Sequence, residues 1–266
     1  MNESDGKCMG SAARAYASHR ARTTTSATSR FGESPGVQLE PTLNSLNQGA
    51  CFKRRGGHDR KFEPPPPAME TRHPDFVVGI GGSAGGLNAY KALLAAMPPD
   101  TGMAFVIVSH IFPSANSLLA DILSRHTKMP VMVVATGMPI LANHVYVLPA
   151  NADLLVEGDA FKVVSPRSRG NVQIDVFFTS LAEAMGPRAI GIILSGFDGD
   201  GTAGCKHIKA KGGKTFAQDA SAEVAEMPLH AEAAGCIDFV LPPDKMPAAL
   251  RKLATASENK RRQSPG

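Results

Sequence analysis

The chain has 266 residues, 43% of them apolar and 20% charged, with a formal net charge of +4 at pH 7. That length suits one sizeable domain with tails, or two small domains. Residues 73–256 hold 14 basic and 16 acidic side chains, so the positive balance belongs to the flanking segments and gives the domain no nucleic-acid footprint. No run approaches the roughly 18 consecutive apolar residues of a transmembrane helix, and the N-terminus has no signal-peptide core, so a cytoplasmic protein without membrane insertion is expected.

The four cysteines, Cys8, Cys51, Cys205 and Cys236, lack metal-ligand spacing and read as reduced structural thiols. Residues 1–72 are rich in Ser, Thr, Arg, Gly and Pro and end near Pro64–Pro67. Too few large apolar residues are present to offset ordering entropy, so this segment is expected to be a disordered tail. Met69, at the composition break, is a candidate alternative start.

From Asp75 onward, strands alternate with helices. The spacing predicts a strand over Phe76–Gly81, a helix over Leu87–Met97, a strand over Ala104–Ser109, a helix over Ser117–Arg125 and a short strand over Val131–Ala135. Val145–Leu148 follows as a strand, and Leu154–Val156 and Phe161–Val164 flank Glu157-Gly158-Asp159 as an antiparallel hairpin. Pro166–Val172 is a polar loop before a helix over Asp175–Met185. The rhythm then resumes with strands Ala189–Leu194, Lys214–Ala217 and Ile237–Leu241 and helices Thr202–Ala210, Pro228–Ala234 and Asp244–Ala254. The fold class expected is α/β, doubly wound, with a largely parallel sheet, helices on both faces and a small antiparallel hairpin excursion. Residues 73–256 form the domain, and 257–266 a charged disordered tail.

Three strand ends carry chemistry. Gly81-Gly82-Ser83-Ala84-Gly85 matches a Gly-x-Ser-x-Gly nucleophile turn in the strand-turn-helix context that motif needs. The plain alternative is a helix N-cap serine. Gly79-x-Gly81-x-x-Ala84 also fits a loose dinucleotide fingerprint, but that reading needs an acid closing the second strand, and Asp100 precedes it. Ser109-His110 stands there instead. Imidazole at that edge can accept a serine proton, although a lone strand-end histidine is more often structural. His126, His144, His207 and His230 have weaker claims. The strand Ala189–Leu194 runs into Ser195-Gly196-Phe197-Asp198-Gly199-Asp200-Gly201, where Asp198 or Asp200 could orient the imidazole, one of them serving instead in an Asx turn. No Glu/His cluster accompanies them, so no metal and no cofactor are expected.

Gly81–Gly86, His110, Asn143–Pro149, Ile174–Phe178, Ser195–Gly201 and Gln218-Asp219 with Met227-Pro228 together resemble the catalytic domain of the chemotaxis protein-glutamate methylesterase. The likeness covers about residues 75–253. It implies a serine carboxylesterase that hydrolyses glutamate γ-methyl esters on chemoreceptor-type signalling proteins, with glutamine deamidation alongside. The resemblance implies Ser83 as nucleophile, His110 as base and Asp200, rather than Asp198, as its partner. Backbone N–H groups at Ala84 and Phe197 would bind the oxyanion, and Arg169 would help hold an acidic helical substrate, a solvated loop arginine being the bland alternative. Expected partners are methylated receptor helices and a receptor methyltransferase. Phe197 and Asp198 depart from the family's usual Met and Gly, and His110-Ile111-Phe112-Pro113 is one residue longer than its His-x-Pro. Those spacings are similar to methylesterase domains fused to receptor methyltransferases. Residues 1–72 are too short and polar for the family's receiver domain, so none is expected in cis. The altered turn keeps open a non-catalytic module that docks a methyltransferase or a signalling helix bundle.

Overall fold

The computed structural model describes residues 72–110, 116–168 and 170–263. The expected disorder of the first 71 residues, the alternative start at Met69 and the side chain of Arg169 lie outside the described residues.

In chain order the elements are β1 (Phe76–Gly82), α1 (Gly86–Ala95), β2 (Met103–Ser109), α2 (Asn116–Ser124), β3 (Val131–Val133), β4 (His144–Val147), β5 (Asp153–Glu157) and β6 (Ala160–Val164). There follow α3 (Gln173–Met185), β7 (Ala189–Ile193), α4 (Thr202–Ala210), β8 (Lys214–Gln218), α5 (Glu226–Ala233), β9 (Phe239–Leu241) and α6 (Met246–Gln263). Seven strands form one sheet in the order β3-β4-β2-β1-β7-β8-β9, and every pairing in it is parallel. β5 and β6 make the separate antiparallel hairpin that Glu157-Gly158-Asp159 predicts.

The sheet is apolar on both faces because helices cover both. Val78, Ile80, Phe105, Ile107 and Ile192 pack with Tyr90, Leu93 and Leu94 of α1, Leu119 and Leu123 of α2, and Leu250 of α6. Val77, Val106 and Ile193 point the other way, onto Phe177, Phe178 and Leu181 of α3, Ile208 of α4 and Phe161 of the hairpin. The architecture is therefore the expected doubly wound α/β fold.

Two element boundaries differ instructively from expectation. α5 starts at Glu226, two residues before Pro228, because a proline in a first helical turn removes an N–H that has no intrahelical partner anyway. α6 continues past Ala254 to Gln263, into the segment expected as a charged tail. Its apolar periodicity stops, yet Ala, Ser, Glu, Lys, Arg and Gln are adequate helix formers, and cations suit a helix C-terminus.

The direction of winding reverses at β1. The chain passes from β1 outward through β2, then returns to pair β7 along the opposite edge of β1. In open parallel sheets such a switch point opens a crevice at the strands' carboxyl ends. Ser83, His110 and Ser195–Gly201 all leave the sheet there.

Candidate functional site

Register sets the first pair of neighbours. Gly82 of β1 lies opposite Ser109 of β2, so the residues that follow them, Ser83 and His110, emerge side by side. Adjacent strands lie about 4.8 Å apart. On the other flank Ser83 N–H donates to Ser195 O at 2.9 Å, which ties the serine turn to the turn after β7. Gly85 is left-handed at φ 72°, and its missing Cβ leaves the space that Ser195 Oγ occupies. A side chain at Gly196 would run into Met227 Sδ and the Ser83 Cβ. The serine is thus presented half-buried between small neighbours.

His110 Nε2 lies 2.6 Å from Asp200 Oδ2, and the two side chains are 6% and 0% exposed. The same carboxylate accepts the N–H groups of Ile174 at 3.0 Å and Asp175 at 2.9 Å, in the first turn of α3. Three donors and the N-terminal end of α3 therefore converge on the Asp200 carboxyl group. With a carboxylate oxygen as its acceptor, Nε2 carries the imidazole proton and Nδ1 is left as the acceptor nitrogen. His110 Nδ1 is buried and has no hydrogen-bond partner among the described residues. Ser83 Oγ likewise makes no hydrogen bond among the described residues.

Asp198 has the other role foreseen for one of the two acids. It adopts φ 66°, and its Oδ1 accepts the Asp200 N–H at 3.0 Å, so its carboxylate closes an Asx turn. His230 Nδ1 donates to the Asp198 carbonyl at 2.8 Å and braces the turn from α5. The N–H groups of Ala84 and Phe197 donate to nothing among the described residues. Of the other histidines, Nδ1 of His144 bonds Ala142 O at 2.7 Å and Nδ1 of His207 bonds Ala203 O at 3.0 Å, both local backbone contacts.

Several residues at this edge escape a sequence reading. Ser195 Oγ donates to Ala84 O at 2.8 Å and accepts from Val224 N at 2.9 Å, while its N–H donates to Gln218 Oε1 at 3.0 Å. Gln218 Nε2 in turn donates to Ser221 Oγ at 3.2 Å. These are isolated polar residues joined across long stretches of sequence, and no spacing announces them. Asp175, on α3 beside the site, has its carboxyl pushed above the usual range by burial and by the nearby Asp200 charge, with the Gly204 N–H acting against the shift. Cys205 and Cys236 are buried, as expected of structural thiols. No helix among the described residues is long and apolar enough to cross a membrane.

Known proteins of the same fold and sequence pattern identify the family. The family model described as CheB methylesterase matches residues 78–250. A protein-glutamate methylesterase/protein-glutamine glutaminase of Burkholderia orbicola is 36% identical over 208 residues, covering 73% of this chain and 59% of the relative. One from Anaeromyxobacter dehalogenans is 35% identical over 75% of this chain, and again only 58% of the relative is matched. This chain therefore spans little more than half the length of those two relatives. A putative protein-glutamate methylesterase/protein-glutamine glutaminase of Leptospira interrogans is 36% identical over 63% of this chain and 89% of its own length. The crystal structure of the Thermotoga maritima CheB methylesterase catalytic domain superimposes with a TM-score of 0.61 at 26% identity, covering 67% of this chain and 98% of that domain. The chain belongs to the CheB methylesterase family.

Proposed function

We propose that this chain is a serine carboxylesterase acting on glutamate γ-methyl esters of chemoreceptor-type signalling helices. The observation that carries the reading is the buried His110–Asp200 pair, whose unpartnered Nδ1 belongs to the histidine beside Ser83. Ser83 Oγ attacks the ester carbonyl carbon as its proton passes to His110 Nδ1, and Asp200 stabilises the imidazolium. The oxyanion forms against the N–H groups of Ala84 and Phe197, each donor contributing ~3 kcal/mol of transition-state stabilisation. Collapse returns the proton to the departing methanol and leaves a glutamyl ester on Ser83. Water, deprotonated by the same imidazole, then releases the glutamate carboxylate. A glutamine side chain presents the same carbonyl with ammonia as leaving group, so deamidation uses the same groups.

The alternative, a non-catalytic docking module, drew its support from the unusual Phe197-Asp198 turn. That support weakens once the Asp198 carboxylate is engaged by Asp200 N–H rather than directed at the oxyanion. The intended partners are methylated receptor helices, and a methyltransferase is a second proposed partner. A fluorophosphonate probe should label the protein once, on the Ser83 peptide, with labelling lost in Ser83→Ala. A folded wild type left unlabelled would favour the docking module.

A further inference from the structure

Ser195 is fully buried, and each of its polar atoms has a partner on another segment of the chain. Full pairing of buried polar atoms is the rule, so the bonds by themselves give Ser195 no role. Their destinations are what sets this residue apart. Its carbonyl holds Ser83 N–H and its hydroxyl holds Ala84 C=O, which anchors the peptide units on either side of the Ser83–Ala84 unit, while Gly86 N–H donates to Ser83 O of that unit itself at 3.0 Å. The N–H of that unit, on Ala84, is one open donor of the site. The second open donor, Phe197 N–H, lies two residues beyond Ser195 in the same turn. Gln218 Oε1 at the end of β8 and Val224 N–H in the loop after it fix Ser195 in turn.

We infer that Ser195 is a positioning residue for the oxyanion site. Its hydroxyl and carbonyl set the orientation of the Ala84 N–H and its spacing from the Phe197 N–H. The inference rests on the esterase reading and adds a residue to it. No hydrogen bond joins Ser195 to His110 or Asp200, so its loss acts on oxyanion alignment and leaves the proton-transfer pair intact.

The test is steady-state methanol release by the full chain from a methyl-esterified receptor helix, read with fluorophosphonate labelling and thermal melting, for wild type, Ser195→Ala and Ser195→Thr. Ser195→Ala should lower kcat roughly 10- to 100-fold, as expected for misaligned donors, with KM held within about twofold. Labelling should slow in parallel, and the histidine limb of the pH profile should stay in place. Ser195→Thr, which keeps the hydroxyl, should recover most of kcat. A Ser195→Ala enzyme with wild-type kcat, or one whose loss appears in KM alone, overturns the inference and leaves the esterase reading standing. If Ser195→Ala does not fold, Gln218→Met, which removes the bonds to the Ser195 N–H and the Ser221 hydroxyl and leaves the Ser195 side chain in place, should still lower kcat about threefold or more, and an unchanged kcat overturns it. Wild type that neither hydrolyses nor labels removes the esterase reading and this inference together.

Discussion

Asp198 occupies a left-handed backbone conformation that costs most side-chain-bearing residues about 1 kcal/mol or more. Aspartate tolerates it by bonding locally, here to the Asp200 N–H, while His230 holds the carbonyl. Asp198→Ala keeps the strain and loses the bond, so it should destabilise the protein by ~1–2 kcal/mol in denaturant titration. Asp198→Gly should be close to neutral, since glycine takes that conformation freely. An alanine variant as stable as wild type would contradict the account of this turn. His110 was readable because it follows an apolar run, where a polar residue has to leave the sheet, and the two acids because they stand in the turn after another such run. Choosing between Asp198 and Asp200 took the family resemblance, since both share one glycine-rich turn and only the fold decides which faces the imidazole. Ser195 gave no such signal. Its partner Ala84 is 111 residues away, and a serine after a strand is ordinary in composition.

Helix α3, whose first-turn N–H groups hold the Asp200 carboxylate, packs closely against α4 at Gly204. A Cβ at Gly204 would overlap the Phe178 side chain and approach the Asp175 Cα at 3.3 Å. Gly204→Ala should therefore force the helices apart and destabilise by ~1–3 kcal/mol, despite alanine's better helix propensity. A stabilised variant in denaturant melts would refute that packing. Asp175 adds a pH dependence. Its carboxyl is raised in the folded state by burial and by Asp200, so the fold favours its protonated form. That contribution is fully present below the ordinary carboxylate value of about 3.9 and fades as pH rises through the raised folded value. Asp175→Asn should flatten this decline, its stability gain over wild type growing as pH rises through that window in melts. A pH-independent difference would show that Asp175 is not the group responsible. Helix and strand identities were largely readable here, from apolar runs four to seven residues long and amphipathic stretches between them. The boundaries of α5 and α6 were not, because apolar periodicity marks where a helix is buried and says little about where its polar turns end.

Across the whole molecule, the parallel sheet with two covered faces follows from strands that are apolar on both sides. Strand order does not. The pairing of Val77 with Ala189 joins segments far apart in the chain, and any of the apolar strands could in principle have been the neighbour of β1. The reversal at β1 is what gathers Ser83, His110 and Asp200 from three separate strands to one crevice, and it makes them chemically useful together. The direct measurement of the central claim is methanol release from methyl-esterified receptor helices by wild type and by Ser83→Ala. The account predicts turnover by wild type and none above the uncatalysed rate by a folded Ser83→Ala. Release by the variant comparable to wild type would contradict it.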